Sequence, residues 1–384
     1  MAGVTQTSQP RPPDGERTAI LRERMRAASR GVRRRLLGGP RPAPAEALRA
    51  LATRIEQGPD PTEWDLYGDG GPVPVLEARV AELLGKPAAV MFPSGIMAQQ
   101  SALRIWTDRT GSRRVAIPAL SHLLVHELDG PRLLHGLRYE LLTTGPVVPT
   151  AADLAAIPGE LGAALLELPL RDAGYLLPSW EGLVAFADAC RERGVPLHLD
   201  GARLWESTPH LGHDLAQVAA LADSVYVSLY KGLGGLAGAV LAGSDDVVAE
   251  ARQWRRRLGG TLFTLLPYAV SALAGLDTEV PRMAEYHERA VEIAALLAAA
   301  GFQVHPEVPH TNAFRIHAAG TADDLNERLV SVAETEQVQL LSGWQMADVP
   351  GRAWSEFTVG PATLEWDPQE AVQALAAAFL PRQR

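Results

Sequence analysis

Lysine is nearly absent from this chain, which makes the position of one lysine informative. Of the 36 lysines and arginines among 384 residues, only Lys86 and Lys231 are lysines. Lys231 stands in the stretch VSLYKGLGG (Val227–Gly235), after an apolar segment and against a run of glycines. Arginine stays charged at any working pH, whereas a lysine amine can lose its proton and form a Schiff base. The placement indicates amine chemistry at Lys231, with a solitary surface lysine as the alternative.

Other chemically useful side chains also follow apolar, strand-like segments. They are Ser94, Gly95 and Ile96 after Ala88–Phe92, His122 after Val115–Pro118, Asp200, Ala202 and Arg203 after Val195–Leu199, and Ser228 with Lys231 at the end of Ser224–Leu229. Ligand sites of α/β sheets lie beyond the carboxyl ends of the strands. Each group also has an ordinary structural role open to it, such as a turn, a helix cap or a salt-bridge partner. A single ligand site would explain why all these side chains follow strands, whereas the structural roles would need a separate explanation for each of them.

A pyridine aldehyde phosphate meets the chemistry of all these groups. The amine binds the aldehyde, the N–H groups of a helix that starts at Ser94–Ile96 suit a phosphate, and Asp200 keeps the ring nitrogen protonated. The Arg203 guanidinium can pair with the ring oxygen, Ala202 is small enough to lie under the ring, and His122 can stack over it. The set predicts pyridoxal 5'-phosphate as the cofactor.

A dinucleotide site is the main competing interpretation. Gly232–Ala237 reads GLGGLA and fits the pattern G-x-G-x-x-A after a strand. However, no later strand ends in an acidic residue about twenty positions on, as ribose recognition requires. Lys231 would also have no role in such a site.

The apolar pattern alternates between strand-like and helix-like segments from about Asp65 onwards. Besides the strands above, it predicts a strand at Ala163–Leu168 and helices at Val75–Leu84, Ile96–Trp106 and Trp180–Arg193. The alternation predicts an α/β fold with a mostly parallel sheet flanked by helices. A smaller α+β domain follows, with predicted helices at Arg282–Ala300 and Asp323–Gln337 and strands near Gln303–His305, Asn312–His317 and Glu356–Val359.

These patterns divide the chain into three predicted parts. Residues 1–45 form an Arg/Pro-rich, partly disordered arm with a short helix at about Thr18–Leu37, residues 46–275 the large cofactor-binding domain, and residues 276–384 the small domain.

Composition narrows the class of protein. With 47% hydrophobic and 21% charged residues, the chain reads as a globular protein. Its net charge of -9 argues against a nucleic-acid partner, and no apolar run is long enough to span a bilayer. The single cysteine, Cys190, fits a reducing compartment, and the N-terminus lacks the apolar core of a signal peptide, so a cytoplasmic location is expected.

Several motifs in matching order resemble the threonine aldolase and β-eliminating lyase family. They are LYGDGGPVPVLEARVAELLGKPAAVMFPSGIMAQQ, HLDGARLWES, SLYKGLGGLAGAVLAGS and RQWRRRLGGTL, within about Asp65–Asp277. The resemblance implies a fold-type I pyridoxal-phosphate enzyme that acts on an amino acid as a tight homodimer or homotetramer, with active sites at the subunit interface. It implies Lys231 as the Schiff-base lysine, Asp200 as the ring-nitrogen partner, Arg203 at the ring oxygen, His122 as the stacking histidine and Ser94–Ile96 as the phosphate turn. Ala202 and Ser228 complete the expected cofactor contacts.

The substrate side departs from the family pattern. After Ala163–Leu168 the family carries a histidine where this chain has Leu170, and Glu356 stands near the family's carboxylate-binding arginine. His126, Tyr67 or a water could replace the missing base, and Arg171, Arg315 or Arg352 could bind the carboxylate.

The resemblance implies retro-aldol cleavage of a β-hydroxy-α-amino acid to glycine and an aldehyde. Because the substrate side differs, β-elimination, racemisation, decarboxylation or transamination of another amine is the alternative, as is a cofactor-binding protein without activity.

Overall fold

The computed structural model describes residues 14–38, 42–58, 60 and 62–381. Its helices are α1 (Asp14–Ala28), α2 (Pro44–Glu56), α3 (Pro72–Leu83), α4 (Gly95–Thr110), α5 (His122–Val125), α6 (Gly130–His135), α7 (Ala151–Ala156), α8 (Trp180–Glu192), α9 (Leu204–Leu211), α10 (Leu215–Ala220), α11 (Asp245–Arg257), α12 (Leu266–Thr278), α13 (Met283–Ala300), α14 (Ala322–Thr335), α15 (Pro361–Leu364) and α16 (Pro368–Phe379). Its strands are β1 (Arg34–Arg35), β2 (Ala88–Phe92), β3 (Arg114–Ile117), β4 (Arg138–Leu141), β5 (Ala163–Glu167), β6 (Leu197–Gly201), β7 (Ser224–Ser228), β8 (Ala239–Gly243), β9 (Gln303–His305), β10 (Ala313–Ala319), β11 (Val338–Gln339), β12 (Gln345–Met346) and β13 (Arg352–Thr358). Within the described ranges no helix is both long and apolar enough to cross a membrane.

The chain forms two compact units. The larger unit comprises Arg41–Val291 and Val308–Phe314, and the smaller one comprises Met1–Pro40, Glu292–Glu307 and Arg315–Arg384.

A seven-stranded sheet with the order β2-β8-β7-β6-β5-β3-β4 forms the centre of the larger unit. Only β8 runs against its neighbours, so six strands point the same way and end at one edge. Every residue of β5, β6, β7 and β8 is buried, which explains their continuous apolar sequences, since a strand covered by helices on both faces needs no polar side. The predicted mostly parallel α/β fold is confirmed.

Register places the chemically useful residues side by side. Glu167 at the end of β5 pairs with Asp200 of β6, and Gly201 pairs with Val227 of β7. Helix α4 begins directly after β2, where Ser94 caps it by accepting a hydrogen bond from the Met97 N–H at 3.3 Å.

The smaller unit contains a four-stranded sheet of order β12-β13-β10-β9 and a parallel pair formed by β1 and β11. The described part of the N-terminal segment belongs to this unit. Leu21 of α1 and Leu36 after β1 are buried, and Arg24 forms ion pairs with Glu334 at 2.7 Å and with Glu327 of α14. Burial of Leu21 and Leu36 and the ion pairs of Arg24 therefore fix this segment within the smaller unit, while residues 1–13 of the predicted arm lie outside the described residues.

Candidate functional site

A cavity of about 180 Å³ lies in the larger unit where its parallel strands end. Most residues predicted from the sequence to bind a cofactor line it. These are Ser94, Gly95, Ile96, His122, Asp200, Ala202 and Lys231. Because the strands meet at one edge, residues up to 137 positions apart in the chain (Ser94 to Lys231) come together here.

The start of α4 lines this cavity and is suited to an anion. First-turn N–H groups of a helix have no intrahelical acceptor and, together with the helix dipole, favour a negative group. Sterics require glycine at position 95, since a Cβ there would lie 2.1 Å from the phenol oxygen of Tyr226. Only glycine allows Tyr226 to pack against the turn.

Lys231 lies in the cavity with a perturbed amine. Burial lowers the pKa of Lys231, and the nearby positive charge of Arg203 lowers it further, while Asp200, Glu167 and Glu206 act in the opposite direction. A lowered pKa leaves more of the amine neutral, the form that attacks a carbonyl carbon.

Asp200 is buried in the sheet next to this amine, with 1% of its surface exposed. Burial raises the pKa of Asp200, and Lys231 and hydrogen bonds from Gln99 and the Ala202 N–H oppose that rise. The Ala202 N–H donates to Oδ1 at 3.0 Å and the Gln99 amide donates to Oδ2. These donors orient the carboxylate and favour its charged form.

Glu167 is a second buried carboxyl group on the neighbouring strand. Its burial and the charge of Asp200 raise the pKa of Glu167 to about 8. Its two oxygens accept hydrogen bonds from the His122 N–H at 2.8 Å and the Arg171 N–H at 3.2 Å. The two N–H donors oppose part of this rise, and they fix the start of the loop that carries His122.

The ring of His122 is held from the side by a carboxylate. Its Nδ1 lies 3.3 Å from Glu127 Oε1, and the Gln100 amide donates to Glu127 Oε2 at 2.9 Å. About 30% of the His122 side chain is exposed, so the ring remains accessible within a fixed orientation.

Two predicted site residues do not line the cavity. The Arg203 guanidinium lies 5.4 Å from the centre of the Tyr175 ring, at the residue before α9. Ser228 is fully buried at the end of β7, where its oxygen accepts from the Tyr230 N–H at 3.4 Å. Arg203 acts on the site through its effect on the pKa of Lys231, and Ser228 through the turn that leads to that lysine.

Several residues around the site were not predicted from the sequence. They are Gln99, Glu127, Tyr226 and Tyr230, all of which line the cavity, and Glu167 beside Asp200. Gln99 stands four positions after Gly95 on one helix and so shares its face, which is a signal the sequence contains. Tyr226 stands two positions before Ser228 on a strand and so points to the same side. No spacing rule identifies Glu127, because its contact with His122 depends on how the loop folds.

The residues present fit pyridoxal phosphate. A helix start with a glycine packed against Tyr226 suits the phosphate, a buried and hydrogen-bonded carboxylate suits the ring nitrogen, and an amine of lowered pKa suits the aldehyde. The cavity thus offers a partner for the phosphate, the ring nitrogen and the aldehyde of this cofactor.

Comparison with known proteins gives the family. Residues 43–320 match the model of the family described as beta-eliminating lyase. The low specificity L-threonine aldolase of Escherichia coli (strain K12) is 28% identical over 311 residues, which cover 77% of this chain and 92% of that protein. A crystal structure of a candidate L-allo-threonine aldolase from Listeria monocytogenes is 38% identical with a TM-score of 0.85, and the match covers 94% of this chain and 100% of that one. The fold also matches that of an aspartate aminotransferase from Thermotoga maritima, which is 14% identical with a TM-score of 0.60. That match covers 94% of this chain and 96% of the aminotransferase chain. The chain belongs to the beta-eliminating lyase family, a family of pyridoxal-phosphate-dependent enzymes of fold type I, as its sequence predicted.

Proposed function

We propose that this protein holds pyridoxal phosphate at Lys231 and cleaves a β-hydroxy-α-amino acid between Cα and Cβ, giving glycine and an aldehyde. The observation that carries the proposal is the convergence of Lys231, Asp200, His122 and the start of α4 on one cavity. The relatives named as threonine aldolases support the choice of reaction.

The cofactor, when bound, supplies an aldehyde for the lysine and a ring that accepts the electron pair released at Cα. The α4 start, with Ser94, Gly95 and Ile96, would hold its phosphate, and Asp200 would keep a proton on the ring nitrogen. Gln99 and the Ala202 N–H hold Asp200 in place for this task.

The remaining residues orient and protect the reacting groups. His122 would lie against the ring because Glu127 and Glu167 fix its side chain and its backbone. Arg203 would pair with the ring oxygen, and it already depresses the pKa of the Lys231 amine. Ser228 stabilises the turn to Tyr230.

A product assay with two lysine variants tests this proposal. The loaded wild-type protein, supplied with the stereoisomers of threonine and of phenylserine, is expected to release equal amounts of glycine and aldehyde. Lys231→Ala should lose both the visible absorbance of the covalently held cofactor and the activity, by about a thousand-fold or more. Lys86→Ala is the matched control, because Lys86 is the only other lysine and donates instead to the Ala222 carbonyl at 2.6 Å.

Other products would identify another reaction. Pyruvate and ammonia from serine would show β-elimination, a loss of optical activity would show racemisation, and carbon dioxide would show decarboxylation. A protein that holds the cofactor but converts no amine would refute the enzymatic proposal.

The proposal includes a homodimer or homotetramer in the cytoplasm. Tyr67 and Phe263 support the assembly, because both rings are more than half exposed and contact each other edge to face at 5.5 Å. They stand beside exposed Leu66 and Leu262, the latter in the segment RRRLGGTL. Light scattering on the purified protein should give a mass of two or four chains, and a single-chain mass would refute the assembly. The single cysteine is consistent with a reducing compartment, which cell fractionation would test.

A further inference from the structure

Two histidines of the larger unit lie together beside the cavity. His122 and His126 stand one helical turn apart, and their ring centres are 5.0 Å from each other. We infer that His126, oriented by Asp172, is the base that takes the proton from the β-hydroxyl group of the substrate. This inference rests on the proposed function, since only an aldol-type cleavage requires such a base.

The hydrogen bonds of His126 define which nitrogen can act. Its Nε2 lies 2.7 Å from Asp172 Oδ2. Because an ionised carboxylate only accepts, Nε2 carries the hydrogen of this bond and Nδ1 keeps its lone pair. A carboxylate that fixes the tautomer of a histidine in this way is the usual means of preparing a general base.

Hydrogen-bond partners separate the two histidines. About 39% of the His126 side chain is exposed, whereas Asp172 is mostly buried at 17%. The Nδ1 of His122 already faces Glu127, and that ring also lines the cofactor cavity. His126 therefore combines an Nδ1 that Asp172 does not engage with a partly exposed ring next to His122.

The loop after β5 explains why a base is needed at this position. Leu170 is buried with 1% exposure and carries no group that can accept a proton. Asp172, two residues later in the same loop, instead reaches His126. The loop thus contributes to acid–base chemistry through the carboxylate that holds a histidine.

Charged and titratable groups lie next to the His126–Asp172 pair. Asp172 lies 3.6 Å from an Arg171 nitrogen, so a guanidinium stands beside the carboxylate. His122 and its partner Glu127 stand on the other side of the ring. His126 thus lies between a carboxylate on one side and a second imidazole on the other.

The cleavage step conserves atoms and electrons. The β-hydroxyl O–H bond breaks, and its proton moves to His126 Nδ1. The electron pair of that bond forms the C=O of the aldehyde as the Cα–Cβ bond breaks. The electron pair from the Cα–Cβ bond stays on Cα. Cα then takes up one proton, overall the equivalent of the one that His126 received, and glycine leaves with no net gain or loss of protons.

Two reactions of the loaded enzyme separate this role from a structural one. Cleavage of a β-hydroxy amino acid requires the base, whereas exchange of the glycine α-proton in deuterium oxide has no β-hydroxyl group. His126→Asn should lower kcat/KM for cleavage by about a hundred-fold or more. It should leave glycine exchange, the visible absorbance with glycine and the melting temperature close to wild type. Asp172→Asn should lower cleavage by about tenfold or more, because the amide no longer fixes the tautomer.

The pH profile and a control variant complete the test. The acid limb of kcat/KM should flatten in His126→Asn. Asp129→Asn is the control, because Asp129 lies three residues after His126 but pairs with Arg132. The Asp129→Asn enzyme should cleave at the wild-type rate. Cleavage within about threefold of wild type in His126→Asn, or an equal loss of glycine exchange, would overturn the inference. A wild-type enzyme that exchanges glycine protons but cleaves no β-hydroxy amino acid would refute the proposed function, and the inference with it.

Discussion

A fully buried histidine beneath the site makes stability depend on pH in a calculable way. His198 of β6 has no exposed surface, and its Nδ1 shares a hydrogen bond of 2.8 Å with Ser224 Oγ, which also accepts from the Trp106 indole N–H. Burial lowers the pKa of His198 to about 3. The side chain is therefore neutral in the folded protein throughout the usual pH range.

The sign of the effect follows from proton binding. Between the unfolded pKa of 6.5 and the folded value of about 3, the unfolded chain binds the extra proton, so the free energy of unfolding falls as pH decreases. From pH 8 to pH 5 the contribution of His198 amounts to a loss of about 2 kcal/mol. Above pH 6.5 both states are neutral and the effect is absent.

Glu167 acts in the opposite direction over part of this range. Its pKa is raised from 4.5 to about 8, so the folded protein binds the extra proton between these values and gains stability as pH falls. The total pH dependence therefore mixes both groups, and only a comparison with a variant isolates His198.

The test is urea unfolding of wild type and His198→Asn at pH 8 and pH 5. The asparagine amide can keep the hydrogen bond to Ser224 but does not titrate. The variant should gain about 2 kcal/mol relative to wild type on going to pH 5, whatever its stability at pH 8. His213→Asn, at a partly exposed histidine stacked on Trp180, controls for the loss of a histidine as such. An unchanged difference between wild type and His198→Asn at the two pH values would refute the reasoning.

Three further predictions concern close packing and one thiol. Gly95→Ala should lower cofactor affinity at least tenfold in an absorbance titration and cost about 1–3 kcal/mol of stability, because its Cβ would lie 2.1 Å from the Tyr226 oxygen. Adding Tyr226→Phe should restore part of the affinity and part of the stability. Gly232→Ala should lower the melting temperature, since the new Cβ would lie 2.4 Å from an oxygen of buried Glu206. An unchanged melting temperature would contradict this close packing of Gly232 against Glu206. Burial raises the pKa of Cys190 to about 12, so a thiol reagent should find no reactive group in the folded protein and one per chain in denaturant.

The strands around the site were predictable because their signal is local. A strand buried on both faces reads as a short apolar run, and β2 was predicted with its observed bounds of Ala88–Phe92. β8 was not predicted. Its sequence AVLAG is also a short apolar run, but it follows directly on the glycine-rich segment after Lys231, which hides where the strand begins. The helix expected at about Thr18–Leu37 ends at Ala28, and the chain then forms β1 beside β11, a pairing that no local pattern encodes.

The sequence alone predicted a set of candidate site residues and that they share one edge of a sheet. Lys231, Asp200 and His122 were predicted as site residues because they follow strands, and parallel strands end at the same edge of the sheet in any such fold. Only the tertiary structure decided which groups orient them. The contacts of Glu127 with His122 and of Asp172 with His126 join loop residues whose positions depend on the packing of the whole unit. The pKa of Glu167 likewise depends on burial beside Asp200, and burial is a property of the fold that a residue's own neighbours in the chain do not set.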